Sequence, residues 1–168
     1  MIRDIRPEDN TALAAIVRNA LTEFGAVRPG TAYYDLSTDH LYETFQNPRS
    51  AYFVAEKEGV VLGGGGLFPT NGLPEDTVEL CKMYLAPAAR GLGLGATLIR
   101  HCLARAPGLG YRWIYLESMP ELRQALALYE RFGWKYLDGP LGNSGHFGCD
   151  QWMLLDLSAS PSPPHKSG

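Results

Sequence analysis

The stretch Val78–Gly95 limits what this chain can fold into more than any other. It reads VELCKMYL, then APAA, then RGLGLG, and runs into ATLIRHCLARA. The first part predicts a strand, Val78–Leu85, with Glu79 and Lys82 its only charges. Pro87 ends the run, because proline has no N–H to give to a sheet ladder. Past the glycines, Leu98, Ile99, Cys102 and Leu103 fall three and four apart, which predicts a helix over Arg90–Ala106. A strand, a glycine turn and a helix start together make an anion site. The first amides of a helix have no intrahelical partner, and the helix dipole favours negative charge in front of them. Glycine lets a phosphate come close to the backbone, and Arg90 can grip phosphate oxygens with two donors.

Three readings fit this element. The plainest is a glycine turn before an ordinary helix. A second is a dinucleotide fingerprint: Gly91, Gly93 and Ala96 fit G-x-G-x-x-A, and Glu117 ends the next apolar run, where a ribose-binding acid would fall. A third is a pyrophosphate cradle of the R-x-x-G-x-G type, on Arg90, Gly93 and Gly95. A dinucleotide fold usually opens with its fingerprint, directly at a strand end. Here the motif lies in mid-chain, and Ala86-Pro87-Ala88-Ala89 separates strand from glycines, which favours the cradle.

The rest of the chain sets the bounds. Its 168 residues, 45% hydrophobic and 20% charged, predict one globular domain with a real core. A net charge of −3 without a long basic run argues against nucleic acid, whose phosphates need clustered Lys and Arg. No apolar run nears the length of a spanning helix, so no membrane partner is expected. Three cysteines without C-x-x-C spacing (Cys81, Cys102, Cys149) predict reduced thiols and no metal site. With a start, MIRDIRPEDN, that carries no signal-peptide core, the expected location is the cytoplasm.

In order, the pattern predicts an edge strand over Met1–Arg6 and a helix from Pro7 to Gly25. A loop, AVRPGTAYY, leads to a second helix over Leu36–Gln46. Strands follow at Ala51–Lys57, Val60–Phe68 and Val78–Leu85; the run Gly63–Gly66 in the second of these marks a bulge or a close approach. After the Arg90–Ala106 helix come a strand at Tyr111–Ser118, a helix at Glu121–Phe132, and strands at Trp134–Leu137 and Gln151–Leu157. Residues 158–168, rich in Ser and Pro, are expected to be disordered beyond a domain of residues 1–157.

The order β-α-α-β-β-β-α-β-α-β-β and the cradle resemble the GCN5-related N-acetyltransferases over roughly residues 1–157. A second segment supports this: Ala125-Leu-Ala-Leu128-Tyr129-Glu-Arg-Phe-Gly133-Trp134 looks like that superfamily's A-x-x-L-Y-x-x-x-G-F/W. The run from Gly139 to Met153 also resembles tails of small bacterial acetyltransferases of uncharacterised substrate. One departure stands out: many members carry Asn where this chain has Leu122. The resemblance implies an α/β (α+β) fold with a mixed, mostly antiparallel sheet of about seven strands, four flanking helices, and a splay between strands 78–85 and 111–118. It implies acetyl-CoA as cosubstrate and an amine as acceptor, joined in a ternary complex, in a monomer or homodimer. Two alternatives stay open: a non-catalytic acyl-CoA sensor on the same fold, and a nucleotide-binding oxidoreductase.

Acetyl transfer needs a neutral amine, a stabilised oxyanion, a protonated leaving thiolate and reactants held in line. The resemblance puts acetyl-CoA in the splay. There the amides of Met83 and Leu85 bind acetyl and pantetheine groups, with Met83 as the oxyanion donor, and Arg90, Gly91, Leu92, Gly93, Leu94, Gly95 and Ala96 hold the phosphates. Glu79 has the spacing of the general base in the superfamily's histone acetyltransferases; strand alternation would put Glu79, Cys81, Met83 and Leu85 on one face. Glu79 is equally readable as a solvent-facing strand start, and Cys81 as an inert buried thiol. Tyr129 is the expected general acid at the sulfur, since an ordinary Tyr holds its proton to about pH 10; a core tyrosine is the alternative. The long loop 139–150, with His146 beside Asn143 and Ser144, is expected to cover the acceptor pocket. Arg28, Tyr33, Tyr34 and Asp35 are expected to form its other wall; His146 and these residues also suit a surface turn and a packed loop.

Overall fold

A computed structural model describes residues 1–159. Of the tail read above as disordered, only Ser158 and Ala159 fall within it; 160–168 lie outside the described residues. Seven strands form one sheet in the order β1-β2-β3-β4-β5-β7-β6. They are β1 (Ile2–Asp4), β2 (Ala51–Lys57), β3 (Val60–Phe68), β4 (Thr77–Leu85), β5 (Trp113–Ser118), β6 (Lys135–Leu137) and β7 (Gln151–Asp156). Every pairing is antiparallel except β4 with β5. The helices are α1 (Asn10–Glu23), α2 (Leu41–Thr44), α3 (Leu94–Arg105) and α4 (Arg123–Phe132). The main core lies between one sheet face and helices α3 and α4, around Leu80, Leu98, Ile99, Ile114, Leu116, Leu126 and Met153. Smaller clusters, with Leu13, Val17 and Leu21 of α1, sit against the opposite face.

The fold class and the mixed sheet are as expected; three local readings need correction. The helix predicted over Leu36–Gln46 is a 3-10 turn, Leu36–Asp39, followed by the single turn α2. Ser37, Thr38 and Asp39 compete with the helical backbone for hydrogen bonds: the buried Thr38 hydroxyl donates to the Ala32 carbonyl at 2.6 Å. His40 then leaves helical geometry. The helix predicted from Arg90 begins at Leu94, because Arg90 is extended and Gly93 has φ +69°. Finally, strand alternation fails within β4. Gly64 pairs with Tyr84 but Gly66 with Cys81, so β4 carries one extra residue, and Lys82 stands there at φ +54°. This bulge reverses the faces. Val78, Leu80, Met83 and Leu85 turn to the α3–α4 core, and Cys81 and Tyr84 to the α1 side.

The glycine run of β3 explains itself across the bulge. A Cβ on Gly65 would lie 2.5 Å from the Met83 side chain, and one on Gly66 2.6 Å from the Tyr52 ring. Tyr52 in turn donates from its hydroxyl to the Lys82 carbonyl at 2.9 Å, so the glycines admit the two side chains that flank the bulge. At the far edge, buried Asp9 accepts from Arg3 at 2.8 and 2.9 Å and from the Arg6 amide at 2.7 Å. Asp9→Ala should destabilise the fold by about 3 kcal/mol, because Arg3 stays largely buried without one of its two carboxylates. Equilibrium denaturation in urea checks this, and a loss below about 1 kcal/mol would mark the pair as a surface one.

Candidate functional site

The parallel pair β4–β5 holds register only at Thr77–Trp113, Val78–Ile114 and Glu79–Tyr115. Beyond Glu79 the strands part, while β5 stays paired with β7 along its length. The gap opens into a cavity of about 560 Å³, within the range of small-molecule sites. Met83, Leu85, Arg90, Gly91, Gly93, Leu94, Gly95, Ala96 and Tyr129 all line it. Leu92 does not, and is 45% exposed. Of the acceptor candidates, none of Arg28, Tyr33, Tyr34 or His146 lines it.

The glycine turn leaves open space in front of a helix start. Gly91 and Gly93 have φ of +76° and +69°, and a Cβ on either would meet open space. The first turn of α3 follows directly, so its free amides face the same end of the cavity. Arg90 pairs with Glu23 at the end of α1 and stacks near Phe24, 5.7 Å from the ring centre. Arg123 and Arg131 add two further cations to the lining. These features fit the diphosphate of a CoA thioester, while the apolar walls from Leu85, Leu122 and Leu128 fit its pantetheine arm. Leu122, in place of the frequent Asn, gives this wall no side-chain hydrogen bond.

Tyr129 reaches the cavity from α4, its ring packed edge-on against Trp134 at 5.7 Å. Burial holds its pKa above the ordinary tyrosine value, so the hydroxyl keeps its proton and is a donor. Among the described residues that hydroxyl has no hydrogen-bond partner.

The bulge gives the other side of the gap a buried charged cluster. Glu79 is 2% exposed. Its Oε1 accepts from Thr70 at 3.2 Å, and its Oε2 is buried without a partner among the described residues. Burial first, and then the charge of Glu117, push its pKa up to about 7. Glu117 lines the cavity; it accepts from the Tyr115 hydroxyl at 2.7 Å and from Ser144. His146 Nδ1 lies 3.7 Å from Glu117, and its Nε2 2.5 Å from Asp35. Asp35 also takes the ammonium of Lys82. Burial would raise the Asp35 pKa, but the hydrogen bond from His146 and the charge of Lys82 prevail and bring it to about 2. Burial alone would lower the His146 pKa; Asp35 more than compensates and raises it.

Of the residues read for the acceptor wall, His146 and Asp35 therefore come together. Arg28 turns aside to a two-point bond with Glu121, at 3.0 and 2.9 Å. Tyr33 packs in the cluster around Val17 and Met119, and Tyr34 is 58% exposed. Lys82 and Glu117 are members that the sequence reading missed, Glu117 having been weighed only as a ribose acid. Each is a charge inside an otherwise apolar strand. A charge there needs a buried partner, and that was the available signal.

Comparisons with known proteins give the family and the fold. The sequence model of the acetyltransferase (GNAT) family matches residues 14–134. An uncharacterised N-acetyltransferase of Escherichia coli, YjgM, is 39% identical over 94% of this chain and 95% of its own. The solved N-acetyltransferase of Staphylococcus aureus Mu50 superposes with a TM-score of 0.74 at 28% identity, covering 94% of this chain and 98% of its own. The fold is also that of yncA from Salmonella typhimurium, solved with its cofactor acetyl-CoA, with a TM-score of 0.73 at 21% identity over 97% and 96% of the two chains. Among the described residues no helix is long and apolar enough to cross a membrane. With a matched model over most of the chain and a relative this similar along its whole length, the chain belongs to the acetyltransferase (GNAT) family.

Proposed function

We propose that this protein transfers the acetyl group of acetyl-CoA to a primary amine by direct attack in a ternary complex. The observation that carries the reading is the parting of β4 from β5 after Glu79. It leaves a cavity with the glycine cradle at one end and Tyr129 and Glu117 on its wall, while Glu79, buried at the last paired position of β4, lies outside the lining. The bound acetyl-CoA of yncA supports the cosubstrate.

Acetyl-CoA supplies an activated thioester; this chain's residues do the rest. The cradle and the first turn of α3 bind the diphosphate through amides. The amides of Met83 and Leu85 line the parted strand, and Met83, just past the bulge, donates to the oxygen on which charge develops. Glu79, ionised above about pH 7, takes the amine proton, which reaches it from the cavity side, where Glu117 lines the wall. Tyr129 gives a proton to the departing sulfur. The α1-side loops and the 138–150 segment hold the amine in line with the thioester.

Tyr129→Phe tests the acid role. The kcat should fall by about 100-fold, while calorimetry should return an acetyl-CoA affinity within about twofold of the wild type, since the ring and its packing remain. Unchanged kcat would place the acid elsewhere.

A further inference from the structure

One carboxylate oxygen joins three parts of the acceptor side. Asp35 Oδ2 receives both the Lys82 ammonium and His146 Nε2. Asp35 belongs to the loop after α1, and His146 to the segment between β6 and β7. Lys82 is the left-handed residue that makes the β4 bulge. The 138–150 segment, none of whose residues lines the cavity, is a strap with further ties: Leu141 N–H donates to the Tyr115 hydroxyl at 3.1 Å, Asn143 N–H to the Asn71 carbonyl at 2.7 Å, and Gly148 N–H to the Gly30 carbonyl at 3.0 Å. Lys82 is 8% exposed, so its charge has to be matched where it stands. A left-handed lysine is conformationally costly and persists only where its surroundings hold it. Here the holding contacts are the Tyr52 hydroxyl on its carbonyl and Asp35 on its ammonium.

We propose that Asp35 is a positioning residue for the acceptor: by tying Lys82 to His146 it fixes the bulge, the α1-side loop and the strap to one another, and so sets where the amine stands relative to the Met83 amide. This rests on the acetyl-transfer reading above. It assigns Asp35 no contact with the reacting atoms.

The test compares the wild type with Asp35→Asn and with Asp35→Asn/Lys82→Met. The single variant leaves a buried ammonium unmatched; the double variant removes both charges and so relieves that penalty. Acetyl-CoA affinity is measured by calorimetry. Acceptor kinetics use n-butylamine, spermidine, glycine and tetra-alanine as probes, reading the one the wild type turns over fastest. Hydrogen exchange of the unliganded proteins is followed over residues 82–85 and 139–149. Both variants should bind acetyl-CoA within about twofold of the wild type, yet lose about tenfold or more in kcat/KM, mostly through acceptor KM. Exchange in the two segments should rise about tenfold in both, with α3 and β5 unchanged. Recovery of wild-type acceptor kinetics in the double variant would reduce Asp35 to a neutraliser of a buried lysine and overturn the proposal. Unchanged exchange in both segments would overturn it independently of any acceptor. A wild type that binds no acetyl-CoA would instead sink the acetyl-transfer reading, leaving the exchange contrast to judge the junction.

Discussion

Replacing Gly93 by Asp should raise the dissociation constant for acetyl-CoA by about 100-fold or more, roughly 3 kcal/mol. Gly93 stands at φ +69°, immediately before α3, and a Cβ there meets open space. Nothing in the protein blocks the new side chain. Asp is also a favoured residue at a helix start and one of the few that tolerate left-handed geometry, so the variant should fold. What the carboxylate would meet is the phosphate that the α3 amides are set to receive, and two like charges at about 4 Å cost between about 1 and 4 kcal/mol in a wet site. Gly93→Asn separates charge from bulk: it should cost far less than Asp. Calorimetric titration of both variants checks this, with thermal unfolding as the control. Equal, small losses for Asp and Asn would show that no anion binds at this turn.

The second large effect belongs to Glu79. The wild-type kcat/KM should rise with pH and level off above about 7, as Glu79 loses its proton and becomes a base. Glu79→Gln should lower the plateau by between about 10² and 10⁴-fold and remove that limb of the profile. Stability moves the other way. The Glu79 pKa is raised from 4.5 to about 7, so the fold favours the neutral acid. That contribution is complete below about pH 4.5 and is lost as pH rises through about 7, a difference of about 3 kcal/mol. Glu79→Gln cannot ionise and should keep it. The variant should therefore be less active than the wild type but more stable at pH 8, with the stability gap closing near pH 4. Urea denaturation at the two pH values measures the gap. A gap that does not change with pH would mean that Glu79 is not the group titrating near 7.

Much of this site could be read from residue types in order. Pro87, the glycines after Arg90 and the helical spacing of Leu98, Ile99 and Cys102 placed a glycine turn between a strand and a helix, and the structure has that turn there. The segment around Tyr129 carried its own pattern. Where sequence reasoning failed, longer-range contacts had overridden a local period. Alternation along VELCKMYL puts Glu79 and Met83 on one face; the extra residue at Lys82 separates them. That bulge depends on Tyr52, Asp35 and the β3 glycines, all distant in sequence from Lys82. The helix expected over Leu36–Gln46 had the right apolar spacing at Leu41 and Phe45, but the Thr38 hydroxyl donates to the Ala32 carbonyl and Asp39 is held by Arg18 of α1. Glu117 was visible as a charge in a buried strand, yet its role depends on Ser144 and Tyr115, which only the folded sheet brings near.

The most direct measurement is release of free thiol from acetyl-CoA at pH 8, with and without primary amines drawn from alkylamines, polyamines, amino acids and short peptides. The parted strands, the protonated Tyr129 and the carboxylate pair predict release that depends on at least one class of amine and is matched by N-acetylated product. A protein that binds acetyl-CoA but releases thiol no faster with any amine than without would contradict the account, and would make the cavity a sensor of acyl-CoA.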